Sequence, residues 1–112
     1  MQQLNENQWM ALGKFYGLVK AATYELDESL YTGNLNNSRS AIHALWQAAD
    51  QLDLPDGLMQ SLRMLAVKSL QHTEQGGNAL QRANLACCPI DEMGLLLENL
   101  FIEHGRMALA DA

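Results

Sequence analysis

The chain has 112 residues, 48% of them apolar and 18% charged, with 13 acids against 7 bases and a formal charge of −6. That length suits one domain over residues 1–112, large enough to bury a core without disulfide or metal staples. The charge has the wrong sign for a phosphate backbone, and the adjacent pair Cys87 and Cys88 is no disulfide framework. No stretch approaches the ~18 uninterrupted apolar residues of a membrane span. The N-terminal MQQLNENQWMALGK has no basic segment followed by an apolar one, so the expectation is a cytoplasmic protein without a secretory signal.

Leucine occurs 20 times, alanine 14 and methionine 6, whereas valine, isoleucine and threonine together fill only 8 positions. β-Branched residues build sheets, while Leu, Ala, Met and Gln lose little side-chain freedom in a helix. The expected class is all-α. Turn and cap signals place helices at roughly 4–31, 38–52, 55–86 and 90–110. Short connections favour an antiparallel bundle of four helices, or five if Gly76-Gly77 splits the third segment.

In the first helix Trp9, Leu12, Tyr16, Val19, Thr23, Leu26 and Leu30 alternate three and four apart, and Phe15, Leu18 and Ala22 widen that seam. Gly33-Asn34, followed by Asn36, Asn37 and Ser38, is a turn that offers a cap to the second helix. There Ile42, Leu45, Trp46, Ala49 and Leu52 form the apolar stripe, flanked by His43. Asp53-Leu54-Pro55-Asp56 opens the third helix, with proline in the first turn and acids at the positive dipole end. Its stripe, Leu58, Leu62, Leu65, Ser69, His72, Gly76, Leu80 and Ala83, keeps phase through the glycines and favours one long helix. Cys88-Pro89, followed by Asp91 and Glu92, repeats the opening pattern and predicts a new helix near residue 90.

That last helix is apolar on two sides. Ile90, Met93, Leu97, Leu100, His104 and Met107 share one face, widened by Leu96 and Phe101. Leu95, Ile102 and Leu109, seven apart, share the opposite one. A helix apolar on both sides is either wrapped by its own neighbours or covered by a second chain. On the second alternative Leu95, Ile102 and Leu109, with Phe101 at the edge, form a protein-binding surface. Met59 and Met64 flank the third helix's stripe and are expected to be exposed, where flexible thioethers suit an adaptable contact.

Catalytic patterns are missing. No Glu precedes a His by three residues, as di-iron bundles require, and there is no GxSxG, GxGxxG or GxxxxGK[ST]. The helix-turn-helix reading fails on PDGLMQSLRM, which brings one acid and a single arginine to the would-be recognition helix. His72 and His104 lie on core stripes, but no two His or Cys residues share metal-ligand spacing. Adjacent cysteines bridge only with strain. The chain is therefore expected to be a non-enzymatic regulator without cofactor, neither binding nucleic acid nor entering membranes. It would bind another protein, or a second copy as a homodimer, through an apolar helix surface. An antiactivator that covers the dimerisation face of a transcription regulator is one such protein. The alternative is a bundle that holds a small apolar ligand or metal in its core through His72, His104 and Cys87 or Cys88.

Overall fold

A computed structural model describes residues 4–75 and 77–111, with side chains through Arg106. Within them the chain forms four helices and no strand: α1 (Glu6–Thr32), α2 (Asn36–Asp50), α3 (Asp56–Glu74) and α4 (Ala79–Asp111). No helix among the described residues is long and apolar enough to cross a membrane.

Local chemistry sets the helix ends. Asn5 and Gln8 form a reciprocal capping box at α1, each side chain bonding the other's backbone N–H at 2.9 Å. The Gln8 carboxamide also donates to the Asp53 carbonyl at 2.8 Å, tying the start of α1 to the α2–α3 loop. At the other end Gly33 adopts the left-handed conformation, φ 71°, and its N–H returns to the Ser29 carbonyl. Ser29 and Ser38, both buried, then latch α1 to α2. Their hydroxyls bond each other and reach the carbonyls of Glu25 and Asn34. Ser38 thus serves as a corner bolt inside α2, which begins two residues earlier than expected.

The expected long helix 55–86 is two elements. Gly77 has φ 120°, and a Cβ there would collide with the Gln81 carboxamide. Asn78 and Gln81 then repeat the capping box of α1, with bonds of 2.9 and 3.1 Å. The last turn of α3 is closed from across the break, where the Arg82 guanidinium donates to the Thr73 carbonyl. A helix-compatible apolar phase running through two glycines hid a stop and a start.

The expected break at Cys88-Pro89 is not one: α4 runs through Pro89. Proline has no N–H for the Leu85 carbonyl, and its ring crowds that carbonyl. The helix continues because its buried stripe is uninterrupted. Ala83, Ala86, Ile90, Met93 and Leu97 recur three and four apart on both sides of the proline, and all are buried. The buried Ser69 hydroxyl donates to the Ala86 carbonyl at 2.9 Å, giving the weakened turn a partner from α3.

α4 touches α3 and α1, and α2 touches α1 and α3. One core runs between them, built from Leu12, Phe15, Val19, Leu26, Ile42, Leu45, Leu62, Met93 and Leu97 among others. The α1 seam is rotated from the expected one. Leu12, Phe15, Val19, Ala22, Leu26 and Ser29 are buried, whereas Tyr16 and Thr23 are half-buried flanks and Leu18 is exposed. In α2, Ile42, Leu45 and Ala49 are buried as the periodicity predicts.

If tertiary burial holds α4 together against its proline, Pro89→Ala should stabilise the fold. The regained hydrogen bond and relieved crowding are worth up to ~3 kcal/mol, less the buried ring area, so a gain of about 1–2 kcal/mol is expected. Denaturant unfolding measures it; a loss of stability would show that the fold requires the proline.

Candidate protein-docking face

The two sides of α4 are chemically alike and environmentally opposite. Met93 and Leu97 are fully buried, while Leu95 is 60% and Ile102 54% exposed. At 100° per residue, Leu95 and Ile102 point roughly 200° and 180° from Met93. Among the described residues no helix covers them. Cys88, also exposed, stands seven residues before Leu95 and extends the series towards the N-terminus. The Leu109 side chain, next in the series, lies outside the described residues, as does that of Met107. Exposed Asn84, Asp91, Glu92, Asn99 and Arg106 interleave with the apolar positions.

α1 orients this face by gripping the flank of α4. A Cβ on buried Gly94 would stand 3.8 Å from the Val19 side chain, an ordinary packing contact between the two helices. Lys20 reaches Glu98 at 3.8 Å and stands 5.1 Å above the Tyr16 ring. Phe101 sits between Tyr16, edge-on with centroids 5.7 Å apart, and Trp9 at 6.0 Å. His104 stacks on Trp9 at 4.1 Å. Phe101 is therefore a half-buried seam residue that fixes the rotation of α4, and only its edge borders the outer stripe.

The other expected contact residues divide. Met64 is 58% exposed on α3. Met59 is half-buried and packs on the core, so its expected exposure is corrected. Leu58 beside it is likewise half-buried against the core, and Leu54 in the α2–α3 loop is buried.

Histidines and thiols are dispersed. His104 belongs to the Trp9 end of α4, whereas His72 lies at the end of α3 beside the Arg82–Thr73 bond. From Arg82 to His104 the helix rises ~33 Å, and from Cys87 to His104 ~25 Å. Among the described residues no three His, Cys, Asp or Glu side chains group as metal ligands. Burial pushes the Cys87 thiol up to about 11, reinforced by Asp91 and Asp27. At pH 7 only ~1 in 10⁴ of such a thiol is thiolate, the reverse of an activated nucleophile. The described cations are spread over all four helices, with Lys20, Arg39, Arg63 and Arg106 in half-exposed ion pairs to carboxylates.

Leu95 and Ile102 are exposed, the Leu109 side chain lies outside the described residues, and the aromatic group at Trp9 was not seen as a unit. Its signal was present: Trp9 and Tyr16, seven apart on α1, face Phe101 and His104, three apart on α4. Pairing them needed the knowledge that α1 and α4 touch.

The two sides of α4 should respond differently to the same substitution. Leu97→Glu places an unpaired charge in the core and should cost several kcal/mol, enough to unfold the domain. Ile102→Glu should keep helicity and shift stability by less than about 0.5 kcal/mol, because the charge remains in water. Circular dichroism on heating separates the two; equal damage would show that Ile102 is a core residue. Compared with known proteins, the chain matches no family model, no curated protein and no solved structure.

Proposed function

We propose that this chain is a small non-enzymatic regulatory protein that binds another protein through the outer face of α4. The carrying observation is the exposure of Leu95 and Ile102, 60% and 54%, on a helix whose opposite side buries Ile90, Met93 and Leu97. Scattered single apolar residues on a surface are ordinary, but a seven-residue series along one rigid helix is a row of anchors. Covering each of these two side chains is worth about 2 kcal/mol in apolar area. The scaffold is rigid on this reading: an antiparallel four-helix bundle in which α1 and α3 hold α4 by its inner stripe. The pairs Trp9–His104, Tyr16–Phe101 and Lys20–Glu98 support that arrangement, since position falls along α4 as it rises along α1.

Binding through such a face acts sterically. A partner that needs its own apolar helix surface to dimerise is blocked once α4 lies on it. The antiactivator mode, directed at a transcription regulator in the cytoplasm, is the form this function takes in our reading. Interleaved Asp91, Glu92, Asn99 and Arg106 provide polar rim contacts, which supply selectivity more than affinity.

Site-specific photocrosslinking in the native cells tests the proposal. A benzophenone side chain at Ile102 should give one discrete adduct that is lost when Leu95→Glu is added, whereas the same group at exposed Gln60 on α3 should give none. Equal labelling from both positions, or none from position 102, would contradict a docking function for this face.

A further inference from the structure

We propose that the occupant of this face is a second copy of the chain, two α4 helices pairing antiparallel about a two-fold axis between Glu98 and Asn99; the inference rests on the docking reading above. In a two-fold interface residue i meets j, and j meets i. An axis midway between Leu95 and Ile102 places each against the other of the second copy, so both anchors are used twice. The same register brings Asp91, with Glu92 beside it, opposite Arg106 of the second copy, again twice.

This charge pattern decides the orientation. Arg106 is the outward-facing cation of α4, 74% exposed and only loosely paired with Glu103 at 3.9 Å. Asp91 makes no ion pair among the described residues. Asp91 and Glu92 thus precede the apolar pair with no cation among them, while Arg106, with Glu103 beside it, follows. Antiparallel packing matches opposite charges at both ends and opposes the two helix dipoles. Parallel packing in register would set Asp91 on Asp91 and Arg106 on Arg106. Overlap of residues 86–111 spans ~38 Å of a helix ~10 Å wide, on the order of 400 Å² per copy. Half the standard interface has the size of a weak, reversible contact rather than of an obligate dimer.

Light scattering of the full chain from ~10 to ~500 µM, the range such an interface requires, should move from the 12.4 kDa monomer to twice that mass. Ile102→Glu, or Leu95→Glu should the first fold poorly, should stay monomeric. Asp91→Arg and Arg106→Asp should each weaken association by roughly tenfold, since each makes two like-charge pairs. Mixed one to one they should recover the wild-type affinity, because every cross pair is then opposite. Cys88 of the two copies would lie ~31 Å apart and should form no disulfide between copies on mild oxidation, whereas Asn99→Cys should crosslink at the axis. A wild-type chain that is monomeric throughout overturns self-pairing and leaves the face to a different protein. A dimer that survives both Ile102→Glu and Leu95→Glu overturns self-pairing through this face, and the docking reading is then decided by the crosslinking at position 102. Rapid Cys88 crosslinking without recovery in the mixture overturns the antiparallel register.

Discussion

Everything else in this molecule depends on α4 remaining one helix across Pro89. The proline removes a hydrogen bond and crowds the preceding turn, a cost of ~3 kcal/mol in an isolated helix. Burial outweighs it: Ala83 and Ala86 lie against the core before the proline, Ile90, Met93 and Leu97 after it. Fully burying Ile90, Met93 and Leu97 is worth about 1.5–3 kcal/mol each, so the stripe exceeds the local penalty. Ser69 adds a donor from α3 in the turn beside the proline. A break at residue 89 would split the buried stripe, detaching Ala83 and Ala86 from Ile90, Met93 and Leu97, and would separate Cys88 from Leu95 and Ile102.

This competition also explains what could be read from sequence. The all-helical class and the inner and outer stripes of the C-terminal segment follow from composition and periodicity, which report burial directly. Ile42, Leu45 and Ala49 in α2, and Leu97 against Ile102 in α4, sit where periodicity puts them. Local punctuation was less dependable. Pro89 carries every mark of a helix start, yet tertiary burial overrides it. Gly76-Gly77 lies in an unbroken apolar phase, yet the Asn78–Gln81 capping box and the positive φ of Gly77 stop and restart the chain. The pattern Asn-x-x-Gln at residues 78–81 repeats Asn-x-x-Gln at residues 5–8, and was the legible signal for that boundary. Exposure of Met59 was misjudged because a residue flanking a stripe can still reach the core, as Met59 does.

The same helix divides its labour by side. Inner residues carry stability, and the Trp9–Phe101–Tyr16 group fixes the rotation that turns Leu95 and Ile102 outward. Outer residues can then be selected for recognition at little cost to the fold. The raised Cys87 thiol and the separated histidines place no comparable chemistry elsewhere in the described chain. A surface built from packing and rim charge, rather than from reacting groups, is the physical basis of the regulatory reading.

The central claim is that α4 is one rod bearing an inward and an outward stripe, and a distance across Pro89 tests it most directly. Spin labels at Asn84 and Arg106, both exposed, would be placed in a chain with Cys87 and Cys88 replaced by alanine and diluted with unlabelled protein. Pulsed electron–electron resonance should give one narrow distribution near ~33 Å, the rise of 22 helical residues. A broad or markedly shorter distribution would mean that the helix breaks at the proline and that α4 is not one rod.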